Sequence, residues 1–189
     1  MKLRLSLFLA IAFAAAAAAE EPTNSRQLNI ASNLYCFLTG SPVALIFQAF
    51  DFVCRFTSSN TLEDTIRFNT ARATLANTIY FTQEELEAVS IRHCSLFDFT
   101  DGTAFATNER NIWYPADLRG DDDLNTATQL AHQMGHVRQY QRGFWDFKCS
   151  YFQELLRTGF SFDRDNEVEQ EAFELEDRVT TCLETRICV

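Results

Sequence analysis

The stretch "LAHQMGHVRQY", Leu130–Tyr140, decides how the rest of the chain is read. His132 and His136 lie four residues apart, so on a helix their side chains stack on one face, one turn apart. Two imidazoles so placed can each turn a ring nitrogen toward one ion about 2.0–2.1 Å away. The neighbouring residues supply the helix. Ala127, Leu130, Ala131, Met134 and Val137 follow the i, i+3, i+4, i+7 rule and predict a core-facing stripe. The acidic "GDDDLN" before them offers an N-cap, which predicts a helix over 124–141. Asp121–Asp123 complement the positive end of that helix and lack the alternating ligands and closing Glu of a calcium loop. A pair of histidines four apart describes a solvated helix face as readily as a metal site.

Working outward, "TQEELEAV" opens with Thr82 and has Glu85 three on, a capping box for a short helix. "VSIRHCSLF" alternates and reads as a strand, and "GTAFATNERNIWYP" reads as a hairpin turning at "TNER" and ended by Pro115. Downstream, "GFWDFKCSYFQELLRTG" predicts a second helix ending at Gly159. "FDRDNEVEQEAFELEDRVTTC" predicts a third, capped near Asp165 or Asn166, with Val168, Ala172, Leu175 and Val179 at helical spacing. Residues 61–80 mix helix and strand signals and leave that choice open. The apolar run Val43–Phe56 is too short and too charged to span a membrane, with Gln48, Asp51 and Arg55 inside it. It predicts a buried helix with Pro42 in its first turn; the alternative is an exposed contact surface for a partner.

The N-terminus places Lys2 and Arg4 before an apolar run and an alanine tract, the layout of a signal peptide over 1–19 with cleavage near Ala19. An uncleaved anchor is the competing reading. The mature chain of 170 residues would carry 14 basic against 26 acidic residues, a net charge of −12. That balance argues against nucleic acid and anionic membranes as partners. The six cysteines, Cys36, Cys54, Cys94, Cys149, Cys182 and Cys188, point to disulfides in an exported protein, secreted or periplasmic, with the connectivity open. No C-x-x-C pair supports a cysteine zinc site.

A catalytic zinc needs a third protein ligand and an open position. "NEVEQEA" offers Glu167, Glu169 and Glu171, and spacing alone does not choose among them. Taken together, "GTAFATNERNIWYP", "LAHQMGHVRQYQRGFW" and "FDRDNEVEQEAFELEDRV" resemble the zincin-like family known as the extracellular contractile injection system core domain. The resemblance runs roughly from Thr82 to Val179, and residues 20–80 take no part in it. It implies zinc held by His132, His136 and Glu169, the last because Glu169–Ala172 fits Glu-x-x-Ala, with Glu171 the alternative. It also implies that "NIWYP" lies at the edge of a cleft where zincins hold peptides by strand addition. Gln129 and Gln139 flank the histidine face and could orient ligands.

One residue departs from the pattern. The general base of such enzymes is the Glu after the first His, and here it is Gln133. A carboxamide has nearly the same shape but does not accept the proton. Glu167 or Glu171 could substitute in principle. His93 reads as a half-buried histidine of the strand rather than a ligand. Tyr140 reads as a packed aromatic, with an oxyanion contact as its functional alternative. Phe144, Trp145, Phe147 and Phe152 read as core.

The expectation is therefore an α+β chain of zincin-like fold, a small hairpin or sheet packed beside a His-x-x-x-His helix and a Glu-bearing helix. Residues 20–80 form a mostly helical apolar segment, and 81–189 the zincin-like domain, compact with 30–80. The expected function is a secreted zinc-binding protein and catalytically impaired metallopeptidase homologue. Its alternatives are an active peptidase with a substitute base and a non-enzymatic interaction module. A peptide or protein is the expected substrate or partner.

Overall fold

The structure, a computed structural model, describes residues 41–95, 104–115, 123–158 and 164–188. In chain order these form α1 (Ser41–Thr57), α2 (Leu62–Ala76), α3 (Gln83–Glu87), β1 (Ser90–His93), β2 (Phe105–Asn108), β3 (Asn111–Tyr114), α4 (Asp123–Arg142), α5 (Phe144–Arg157) and α6 (Glu167–Thr185). The mixed α+β class and the small sheet beside the histidine helix are as expected. The signal-peptide reading of 1–19, the segment 20–40 and the cap residues Asp121 and Asp122 lie outside the described residues, as do the side chains of Phe144, Trp145 and Phe152.

Local chemistry explains each boundary that matters. Thr61 resolves the segment left open between helix and strand. Its hydroxyl accepts the Asp64 N–H at 3.2 Å while the Asp64 carboxylate accepts the Thr61 N–H at 2.8 Å, a complete capping box. Asp64, Phe68, Ala71 and Leu75 then recur at helical spacing and turn inward. Asn166 caps α6 by accepting the Val168 N–H. That helix ends on Arg186 at φ 59°, a left-handed cap beside the Cys182–Cys188 disulfide.

The sheet order is β1-β3-β2, with β1 parallel and β2 antiparallel to β3. The hairpin turning at Glu109–Arg110 is as expected, with a register irregularity between Ala106 and Asn108. "NIWYP" does not lie at a cleft edge: Asn111–Tyr114 is the central strand, and both its edges are engaged in ladders. The strand bordering the histidine helix is β2. The outer edge of β1 is covered by Asn60, whose amide donates to Ile91 C=O and accepts the His93 N–H. His93 is buried. Its Nε2 is 2.9 Å from Asp64 Oδ1, and its Nδ1 is 3.0 Å from the carbonyl of Pro115.

Helix α4 is the centre of the molecule and packs against α2, α5, α6 and β2. Its expected stripe of Ala127, Leu130, Ala131, Met134 and Val137 is fully buried and meets Phe68, Leu75, Ile112 and Val179 in the main core. Helix α1 corrects an expectation. It is helical, but Phe52, Val53 and Phe56 are exposed while Asp51 and Cys54 face inward. Two constraints set this rotation. Asp51 Oδ1 accepts hydrogen bonds from Thr107 Oγ1 and Asn111 Nδ2, each at 2.8 Å, and from Trp113 Nε1 at 3.2 Å. Cys54 is bonded to Cys94, not to the nearer-in-sequence Cys36. No helix among the described residues is long and apolar enough to cross a membrane.

Candidate metal centre

The close approach of α4 and α6 builds the site. A Cβ on Gly135 would stand 3.0 Å from Ala172 Cα and 3.2 Å from its Cβ, so glycine lets the two helices touch. Glu169 lies one turn before Ala172, and His132 and His136 lie on either side of Gly135. The contact therefore carries Glu169 to the two histidines. His132 Nε2 is 3.1 Å and His136 Nε2 3.0 Å from the same oxygen, Glu169 Oε2. The three ligand atoms lie within 4.8 Å of one another, and the group could hold a metal ion. Glu171 is elsewhere: it is exposed, 2.5 Å from Arg142 and 3.2 Å from Gln139 Nε2.

Both outer ring nitrogens are held. His132 Nδ1 is 3.0 Å from Glu176 Oε2, and His136 Nδ1 is 2.8 Å from Gln139 Oε1. Gln139 is oriented by its own amide nitrogen, which donates to Val168 C=O at 2.9 Å. Tyr151 donates to the other Glu169 oxygen, Oε1, at 2.6 Å. Gln139 is a partner the sequence suggested. Glu176 and Tyr151 were missed. Glu176 had a signal, since it lies seven residues after Glu169 and so on the same face two turns on. Tyr151 had none, because it reaches the site from α5.

Proton counting tests whether these residues fit a cation. A neutral imidazole carries one N–H. If that proton sits on Nδ1, each ring satisfies its outer acceptor, and both Nε2 lone pairs then point at one carboxylate oxygen. A cation among the three atoms turns that repulsion into coordination. Tetrahedral bonds of about 2.0–2.1 Å would put ligand atoms about 3.3 Å apart, and the two nitrogen–oxygen separations are 3.1 and 3.0 Å. Electrostatics follow the same arrangement. Burial alone would lower the pKa of His132, but hydrogen bonds to Glu169 and Glu176, and their charges, raise it to about 9. Burial opposes ionisation of Glu169, yet His132, His136 and Tyr151 together hold its carboxyl far below the usual range.

The triad opens onto a cavity of about 220 Å³ whose walls include Phe105, Gln133, Tyr140, Phe147, Phe173 and Glu176. Gln133 lines it and is buried; its Oε1 accepts the Ala106 N–H of β2 at 2.8 Å. Tyr140 is buried, with its ring edge-on to Phe147 at 4.5 Å, as a packed aromatic should be. Neither Glu167 nor Glu171 lines the cavity. Compared with family models, with curated proteins and with solved structures, the chain matches none.

Proposed function

We propose that the chain is an exported, zincin-like metal-binding protein in which His132, His136 and Glu169 ligate one zinc ion and Gln133 impairs hydrolysis. The observation that carries this reading is the convergence of both Nε2 atoms on one Glu169 oxygen, with both Nδ1 atoms held from behind. The disulfides Cys54–Cys94 and Cys182–Cys188 support an oxidising compartment. The ligand helices beside a small sheet support the zincin-like arrangement.

Zinc in such a site supplies Lewis acidity and an activated water. The chain's own residues orient the ligands. Glu176 and Gln139 fix the two imidazole planes, Tyr151 holds the carboxylate, and Phe173 and Phe147 pack against the rings of His132 and His136. The missing element is a base. Gln133 takes no proton, and losing such a group costs about 10²–10⁴ in rate. The substitutes suggested by spacing, Glu167 and Glu171, stand off the cavity wall, and Glu176 is committed to His132. Impairment is therefore favoured over an active enzyme with a replacement base.

The test is metal analysis with a peptidase assay on the wild type and Gln133→Glu. One zinc per chain, little cleavage by the wild type, and a gain of about 10²–10⁴ in the variant are expected. A metal-free protein, or wild-type cleavage equal to that of the variant, rejects the proposal. A second reading, a non-enzymatic interaction module, draws on the exposed Phe52, Val53 and Phe56. A partner captured equally by wild type and His132→Ala would favour it.

A further inference from the structure

The edge strand beside the triad has its middle residue already engaged. Ala106 N–H is taken by Gln133 Oε1 at 2.8 Å, and Ala106 C=O accepts the Tyr140 hydroxyl at 3.4 Å. A peptide laid along β2 would find both of these groups occupied, so capture by ladder hydrogen bonds is pre-empted at that point. Recognition then falls to groups inside the cavity. Gln133 is 5 % exposed and lines it. The backbone N–H at Ala106 assigns the amide: the atom facing it is the oxygen, so the other is the nitrogen. No hydrogen bond from Gln133 Nε2 to an acceptor among the described residues is found.

Where hydrolysis would need a proton acceptor, Gln133 therefore presents a donor. A cation with an amide donor beside it suits an anionic ligand with two oxygens, because a carboxylate satisfies both at once. Among the three ligands only Glu169 carries charge, and Glu176, the second carboxylate on the cavity wall, is engaged by His132 Nδ1, so the metal's open position is where a further anion would bind. Phe105, Tyr140, Phe147 and Phe173 make most of the remaining wall aromatic, with Gln129, Tyr151 and Glu176 its polar members, and about 220 Å³ accommodates a ring or branched aliphatic group. We propose that this cavity binds small carboxylates bearing an aromatic or aliphatic group, and that Gln133 selects the carboxylate over the corresponding amide. This rests on the metal reading above and adds to it the class of ligand and the residue that chooses it.

Isothermal titration of the zinc-loaded full chain with N-acetylphenylalanine and with N-acetylphenylalaninamide at pH 7 tests it. The acid is expected to bind about tenfold more tightly than the amide, or better. Gln133→Glu keeps an oxygen for the Ala106 N–H but sets a carboxylate against the ligand. It should weaken acid binding about tenfold or more while the protein remains folded and zinc-loaded. Circular dichroism and zinc content of the variant guard against a folding defect, and the comparison of acid with amide in the wild type stands without it. Equal binding of acid and amide, no binding of either to zinc-loaded protein, or an undiminished preference in a folded Gln133→Glu overturns the inference alone. A chain that takes up no zinc overturns the metal reading and this inference with it.

Discussion

The ring nitrogens of His132 set how the site responds to pH. Its metal-free pKa of about 9 lies above the ordinary 6.5, so its proton stabilises the metal-free fold fully below about 6.5. That contribution is lost as pH rises through 9. Zinc must displace the same proton, so apparent zinc affinity should climb about tenfold per pH unit from 6.5 to 9 on this account, then level. Competition against a chelator of known affinity across that range measures it, and a flat profile would contradict it. The carboxylate behind His132 makes a second prediction. Glu176→Gln keeps the shape but weakens the acceptor and removes a charge that favours protonated His132, so zinc affinity should fall about 10–100-fold and the metal-free protein should melt somewhat lower at neutral pH. At this scale the ligands were legible because helical spacing puts His132 and His136 on one face. Glu169 needed the resemblance, since three glutamates share its neighbourhood. Tyr151 was not legible, because nothing local in the sequence ties α5 to the triad.

Between elements, the decisive contact is Gly135 against Ala172. Gly135→Ala forces a methyl to 3.0 Å from backbone, so α4 and α6 must part. Overpacking of about 1–3 kcal/mol is offset in part by the better helix propensity of alanine, about 1 kcal/mol, leaving a net loss of up to about 2 kcal/mol. Because Glu169 rides on the displaced helix, zinc affinity should fall more than tenfold as well. Urea unfolding with a parallel zinc titration checks both; unchanged affinity would mean that the contact does not position the ligand. Helix existence was legible wherever an apolar stripe or a cap was strong, as in α4 and α6. The rotation of α1 was not. Its apolar residues suggested burial, whereas three side-chain donors of the hairpin draw Asp51 inward and leave Phe52 and Phe56 outside.

Across the whole molecule, α1 is tied to the sheet twice, by the Cys54–Cys94 disulfide and by Asp51. The α+β class could be read from alternating and helical patterns, but this pairing could not, since six cysteines leave the connectivity open and Cys94 lies on the far side of α2 and α3 in the chain. The loop it closes, with a sequence separation of 40, is worth about 4 kcal/mol in the chain-entropy model. Asp51→Ala leaves the buried Asn111 amide and Thr107 hydroxyl without their acceptor and should cost about 2–4 kcal/mol. The two tethers hold one interface, so their losses should not add. Once Cys54→Ala/Cys94→Ala lets α1 move away, water reaches Asn111 and Thr107, and removing Asp51 costs less. A double-mutant cycle in urea should therefore give a coupling of about 1 kcal/mol or more, and additivity within about 0.5 kcal/mol would show that the disulfide and the carboxylate act on independent parts of the fold.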